Sequence, residues 1–193
     1  MARAPESSEA RQRVLDAAVR LFYREGVRAV GIDRIIAEAG VAKMSLYNHF
    51  HSKDDLILEV LKRREVAVLA FFRAAIDRHA RKTRSPLRAF FAALKEWFDS
   101  PEFRGCPFQN TAVELADPKH PATIFVRGHK QRFSEFLRGL VEETVGKAGA
   151  RFAPAVFILV EGAVVTAVIQ GDSAVADVAR DAALKLVGEG KGD

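Results

Sequence analysis

The sequence predicts an all-α protein of about nine helices, with a small N-terminal three-helix region followed by a larger helical bundle. Three observations lead there. Apolar residues recur at three- and four-residue spacing along most of the chain, as they do in helices that bury one stripe. The period-two alternation of a half-buried strand appears nowhere convincingly. Composition also changes along the chain, because twelve of the fourteen Phe lie between Phe71 and Phe157. A Phe-poor start and a Phe-rich middle suggest two regions with different tasks.

The helices can be placed in order. Val14, Leu15, Ala18, Leu21 and Phe22 form the stripe of the first, with Ser7 or Ser8 to cap its start and Gly26 to end it. A second fits Asp33–Ala39, with Ile32, Ile35 and Ile36 inward and Gly40 as its stop. A third fits Lys43–His49. A long fourth begins near Ser52, where Ser52-Lys-Asp-Asp resembles a capping box, and runs to about Ala80. Pro86 suits the first position of a helix capped by Ser85 and reaching about Asp99. Ser100–Pro107 reads as a turn, Asn110–Ala116 as a short helix, and Asp117-Pro-Lys-His-Pro121 as a breaker. Ala122 to about Val145 is another long helix, followed by Gly146 and Gly149. Ala153–Gln170 and Ser173–Val187 complete the set, separated by Gly171-Asp172.

Composition bounds the function. The chain has 193 residues and a formal net charge of +5, with 49% apolar residues, which excludes intrinsic disorder. One Cys, Cys106, excludes an intrachain disulfide and points to a reducing compartment. No uninterrupted apolar run approaches the roughly 20 residues of a membrane span. The longest such stretch, Phe152–Gln170, is broken by Pro154, Glu161, Gly162 and Thr166. Met1-Ala-Arg-Ala-Pro-Glu has no apolar core for a signal peptide, so the expectation is a soluble, cytoplasmic protein that meets no membrane. Charge is uneven: residues 1–60 are neutral overall, 61–90 carry +7, and 91–193 carry −2. The run Lys62, Arg63, Arg64, Arg73, Arg78, Arg81, Lys82, Arg84, Arg88 is read as a solvated helix face, with a second nucleic-acid surface as the alternative.

The most informative stretch is Ile32 to Phe50. It reads as two short helices joined at Ala39-Gly40-Val41, with Gly40 supplying the positive φ of a sharp corner. Val41 and Leu46 face the apolar side made by Ile35 and Ile36. Lys43, Ser45, Tyr47, Asn48 and His49 are left as the polar set of the second helix. A cation, a hydroxyl, a phenol, an amide and an imidazole suit a DNA groove. Lys, Ser and Tyr serve phosphates, and Asn or His can reach base edges. His49-x-His51 lacks a further ligand in register, so no metal is expected. Neither a Ser-His-Asp order nor a phosphate-cradling Gly loop is present, so no catalysis and no cofactor are expected.

These residues resemble a known family. Val14–Phe22, Gly26, Ile35-Ile36-Ala37-Glu38-Ala39-Gly40-Val41, Leu46-Tyr47-Asn48-His49-Phe50 and Ser52-Lys53-Asp54-Asp55-Leu56 together look like the N-terminal domain of TetR/AcrR-type repressors. The pattern Leu-Tyr-x-His-Phe-x-x-Lys-x-x-Leu after Ala-Gly-Val is the most specific part. Arg104-Gly-Cys-Pro-Phe-Gln-Asn-Thr-Ala-Val-Glu-Leu115 resembles a motif of one subgroup. The resemblance implies a DNA-binding helix-turn-helix domain over residues 1–50 and an effector-binding and dimerisation domain over 51–193. It implies a homodimer on a palindromic double-stranded operator, released by a small-molecule effector. The DNA-facing set is then Arg34, Lys43, Met44, Ser45, Tyr47, Asn48, His49 and Lys53, the last anchoring phosphate. Three positions depart from the family pattern. Gly31 caps the second helix without a side-chain acceptor, Ala42 offers phosphate no side-chain contact, and Met44 replaces a small residue.

The Phe-rich middle is mostly core, yet an effector pocket in a helical bundle is lined by such rings with a few polar groups. The candidate lining is Phe71, Phe91, Trp97, Phe98, Phe108, Gln109, Asn110, His129, Phe133 and Glu161, which suits an apolar or aromatic effector. Glu161 interrupts an apolar helix, so a pocket carboxylate, a helix-packing salt bridge and a solvent-facing residue all stay open. Cys106 is read as a small buried apolar residue, or as a redox sensor in the Gly105–Pro107 turn. The broad apolar surface of 156–169 and the small residues of 175–186 fit a homodimer formed through the last two helices.

Overall fold

Helix ends fall where the sequence places its punctuation. The computed structural model describes residues 4–189, with side chains from residue 9 onward. Among these are α1 (Ala4–Glu25), α2 (Ile32–Ala39), α3 (Lys43–Tyr47), α4 (Lys53–Thr83), α5 (Pro86–Phe98), α6 (Pro107–Leu115), α7 (Pro121–Val145), α8 (Ala153–Gln170) and α9 (Val175–Val187). A short 3₁₀ turn over Lys147–Phe152 leads into α8, and the described residues contain no strand. The fold is all-α, as expected. α1 starts at Ala4, ahead of Ser7 and Ser8, whose side chains lie outside the described residues. Gly40 ends α2 at φ 61°, and its N–H and that of Val41 close onto the last carbonyls of the helix. Ser85 accepts from the Arg88 N–H at 3.2 Å, with Pro86 opening α5.

Other boundaries differ from expectation as well, including the start of α9 at Val175 rather than Ser173. α3 ends at Tyr47, so Asn48 and His49 sit in the turn that follows it. α6 starts at Pro107, because a proline at the first helical position gives up an N–H that has no partner there anyway. The 3₁₀ turn occupies residues read as a plain connection.

The chain forms two compact units, residues 1–66 with 107–127 and residues 67–106 with 128–193. In the first, α2 and α3 pack on α1. Val14, Ala17, Ala18 and Leu21 of α1, Ile35 of α2, Leu46 of α3 and Leu56 and Ile57 of α4 are buried together. Polar ties run along the same seam. Arg11 pairs with Glu59 at 2.9 Å and its guanidinium lies 5.3 Å from the Phe50 ring centre. Arg63 pairs with Asp16 at 2.5 Å. Arg64 donates to the Val19 carbonyl at 2.9 Å and stacks over Tyr23 at 4.5 Å.

Lys62, Arg73, Arg78, Arg81, Lys82 and Arg84 are exposed, as read for a solvated face, while Arg63, Arg64 and Arg88 are half-buried. Lys62 binds Glu59, and Arg63 and Arg64 pack against α1. Arg78 pairs with Glu96 inside the second unit at 2.7 Å. Glu59 is three residues from Lys62 on the same helix, whereas Asp16 and Glu96 lie on other helices, where a count along the chain does not see them.

In the second unit α9 packs against α5 and α8. Its core is a chain of rings. Phe72 stacks on Phe90 at 5.4 Å, Phe133 lies 6.2 Å from both, and His129 lies parallel to Phe133 at 6.4 Å. Lys147–Gln170 is, by length and composition, apolar enough to cross a membrane, which corrects the expectation that no stretch qualifies. One face of α8 (Val156, Val160, Ala163, Val164, Ala167) is buried in the unit, and the other presents Ile158, Val165, Val168 and Ile169. Two apolar faces account for the composition.

Glu59 links the α1–α4 seam to pH. The Lys62 ammonium hydrogen-bonded to it, helped by Arg11, holds its carboxyl below the ordinary value of 4.5. A depressed folded value means that the stabilisation is present above the unfolded value and fades as pH falls through the folded one. Urea unfolding between about pH 5 and pH 3 should therefore show a shallower acid loss in Glu59→Gln than in the parent. Parallel acid limbs would show that Glu59 adds nothing to the seam.

Candidate nucleic-acid interface

α3 has five residues, which is too short to hold itself in water. It is held from one side, since Leu46 is fully buried and Phe50, just beyond the helix, is 2% exposed. With those two inward, helical spacing turns Lys43, Met44, Tyr47 and Asn48 outward. All four are exposed, and Met44 is 70% exposed. Ser45 and His49 flank them, half-buried, with His49 edge-on to Phe50 at 6.5 Å. Ala42 leaves the helix start without a side-chain cap.

The surrounding charges set the register of this face. Lys43 donates to Asp33 of α2 at 3.1 Å, and that carboxylate holds the lysine above its ordinary range. It is therefore a full cation at any ordinary pH. Arg34 is exposed on α2, 3.8 Å from Glu25. Lys53 opens α4 and is half-buried, with its Nζ 3.5 Å from the Arg28 carbonyl. Burial lowers its pKa, partly offset by Asp54 and then Glu114. Ser52 Oγ accepts the Asp55 N–H at 3.0 Å, completing the cap read from Ser52-Lys-Asp-Asp.

The remaining sequence candidates fall in two groups. Phe108, Gln109 and Asn110 sit on α6 in the first unit. Asn110 lines a small cleft with Phe22, Tyr23, Leu61, Arg64 and Glu114. Phe71, Phe91, Trp97, Phe98, His129, Phe133 and Glu161 belong to the second unit. There, of the three readings left open for Glu161, the structure has the helix-packing salt bridge. Its two oxygens lie 2.6 and 2.7 Å from Lys130 Nζ of α7, and both side chains are 18% exposed. Among the described residues no cluster of three His, Cys, Asp or Glu is placed to hold a metal.

One contact escaped the sequence reading. Glu114 of α6 accepts the Arg28 N–H at 3.0 Å, and Arg28 Nη2 donates to the Leu115 carbonyl at 2.9 Å. α6 thus clasps the turn between α1 and α2. Gly26, at φ +90°, lets the clasp close, since a Cβ there would stand 2.7 Å from a Glu114 oxygen. Partners 86 residues apart leave no periodic signal.

This arrangement, a short helix held by its inner face over a glycine corner, defines a helix-turn-helix protein. Comparison with known proteins agrees. Residues 14–60 match the family model for bacterial regulatory proteins of the tetR family, and residues 83–183 match that of the tetracyclin repressor-like C-terminal domain. The chain superposes on the TetR-family regulator SCO4454 of Streptomyces coelicolor with a TM-score of 0.82, at 32% identity over 94% of this chain and 96% of that one. It is 40% identical over 62 residues to the Pseudomonas putida regulator SrpR, a match spanning 32% of this chain and 29% of SrpR. With the Bacillus subtilis regulator YxaF it shares 28% identity over 137 residues, 69% of this chain and 71% of that protein. The chain belongs to the TetR family and is a transcriptional regulator, not an enzyme.

The clasp generates a test. Gly26→Ala forces a side chain into a left-handed position and against Glu114, at a cost of about 2 kcal/mol in urea unfolding. Placed in a Glu114→Ala background, the same change should cost only the backbone part, on the order of 1 kcal/mol. Equal costs in both backgrounds would show that Glu114 does not press on the turn.

Proposed function

We propose that this chain is a homodimeric, effector-responsive repressor that acts in the cytoplasm on a palindromic operator. The observation that carries the reading is the exposed set Lys43, Met44, Tyr47 and Asn48 over a fully buried Leu46. Lys43 and Tyr47 serve phosphates, and Asn48 and His49 read base edges. Arg34 and Ser45 flank the groove, and Lys53 approaches the backbone from the start of α4. Dimerisation is supported by the apolar side of α8 left open in a single chain, Ile158 (68% exposed), Val165 and Ile169 (77% exposed), and by the exposed Val178 of α9. Gly162 lies on that same exposed side with nothing within 4 Å of a Cβ placed there, so a second helix can come close. A two-fold axis through this face makes the two α3 helices read an inverted repeat.

An apolar or aromatic effector is drawn from the rings of the second unit, Phe71, Phe91, Trp97, Phe98 and Phe133, with His129 as its polar group. Release follows if effector binding favours a state in which the two α3 helices no longer match half-sites one helical turn, or a multiple of it, apart.

In vitro selection from random duplex DNA at near-physiological salt tests the reading. The expected product is an inverted repeat with half-site centres about 10 base pairs, or a multiple of that, apart. On that duplex Lys43→Ala should weaken binding roughly tenfold and lower the salt slope by about one, while Asn48→Ala relaxes preference at one base pair per half-site. No enrichment by folded protein would contradict the reading.

A further inference from the structure

Met44 is 70% exposed on α3, within an otherwise polar outer face. Lys43 precedes it, and Tyr47 and Asn48 follow three and four residues on, all exposed. The Asn48 N–H donates to the Met44 carbonyl at 3.0 Å, so the two side chains stand one helical turn apart on one face. Lys43 is drawn to Asp33 of α2 at 3.1 Å, and Leu46 is fully buried. Lysine, tyrosine and asparagine can each hydrogen-bond to a phosphate or a base edge. A thioether has no donor, and its sulfur is a weak acceptor. Base pairs present donors and acceptors in the major groove, and the apolar group among them is the thymine C5-methyl.

We propose that Met44 is a specificity-determining residue that packs its thioether against a pyrimidine C5-methyl group in the major groove. The proposal deepens the operator-binding reading above and rests on it. In unmodified DNA the methyl belongs to thymine, and 5-methylcytosine carries the same group at the same ring position. Met44 reads the methyl and not the hydrogen-bonding edge beside it. Its three rotatable bonds and polarisable sulfur let it settle on a methyl without the fixed geometry of a hydrogen bond. Asn48 and Met44 then divide the readout. The amide takes adenine N6 and N7 in a bidentate pair, and the thioether takes a methyl on a neighbouring pair. Four residues of helix span about 6 Å, and base pairs repeat about every 3.4 Å. With α3 lying along the groove, the methyl is within two base pairs of the one that Asn48 reads.

The contact gives the operator a dependence on methylation. Removing one methyl from an apolar contact weakens binding about fourfold per half-site, and about fifteenfold when both half-sites of a two-fold complex lose it. An unmethylated cytosine at this position lacks the methyl and turns an N4 donor toward a side chain that accepts weakly. Methylation of that cytosine at C5 restores the apolar contact and tightens binding.

The experiment measures the affinity of the full chain for the selected operator at fixed, near-physiological salt. Thymines are replaced by deoxyuridine one position at a time, symmetrically in both half-sites. Deoxyuridine removes the C5-methyl and leaves every hydrogen-bonding group in place. The expected result is about fifteenfold weaker binding at one position, within two base pairs of the pair whose preference Asn48→Ala relaxes. Met44→Ala should bind the thymine and deoxyuridine operators alike, while Met44→Leu, of similar volume, keeps the discrimination. With cytosine at that position, 5-methylcytosine should tighten binding by the parent by a similar factor and leave Met44→Ala unchanged. Discrimination that survives Met44→Ala, or a parent indifferent to deoxyuridine at every position near the Asn48 pair, overturns the proposal and leaves operator binding standing. Sensitivity to deoxyuridine without a gain from 5-methylcytosine confines the contact to thymine and overturns the reading of the methyl on either base. A folded parent that selects no operator overturns the operator reading, and this proposal with it.

Discussion

The structure depends on the burial of Leu46 and Phe50. A helix of five residues has too few internal hydrogen bonds to offset the entropy of its own nucleus. α3 exists because α1 and α2 offer it an apolar seat made of Val14, Ala18, Leu21 and Ile35. Everything the outer face does follows from that anchoring. Rotating α3 by one residue would expose Leu46 and bury a lysine or an amide. The seat therefore decides which side chains are presented. Arg11 stiffens it from above, pairing with Glu59 while covering the Phe50 ring.

The two units handle polarity differently. In the first, charged groups line the seams: Arg11, Arg63 and Arg64 tie α1 to α4, and Glu114 ties α6 to the α1–α2 turn. These pairs are partly solvated and contribute modestly one by one, but they fix register between short helices. In the second, aromatic stacking supplies the cohesion, and Lys130 with Glu161 is an ion pair placed among rings. Such a pair costs desolvation that apolar residues would avoid.

Much of this was legible in the sequence because the signals are local. Gly26, Gly40, Ser85-Pro86 and Gly171 mark helix ends through φ and capping, which depend on neighbouring residues alone. The stripe Val14 to Phe22 and the inward Leu46 follow from period 3.6. Pro107 misled, since one proline either ends a turn or opens a helix and only packing decides. The His49 end of α3 was overrun because the apolar pattern carries on to Phe50 after the helix has stopped. The Glu114–Arg28 clasp and the partners of Lys130 and Arg63 were illegible, being pairs 31 to 86 residues apart or on different helices. The composition of α8 reads as a membrane span or a doubly packed helix, and only the structure shows one apolar face buried and the other open.

The central claim is that α3, seated by Leu46, reads the major groove. Dimethyl sulfate footprinting on the selected operator tests this directly. The reagent methylates guanine N7 in the major groove and adenine N3 in the minor groove. The account predicts protection of guanine N7 in both half-sites, lost when Leu46→Ala unseats the helix while the second unit stays folded. Protection confined to adenine N3, or guanine protection that survives Leu46→Ala unchanged, would contradict it.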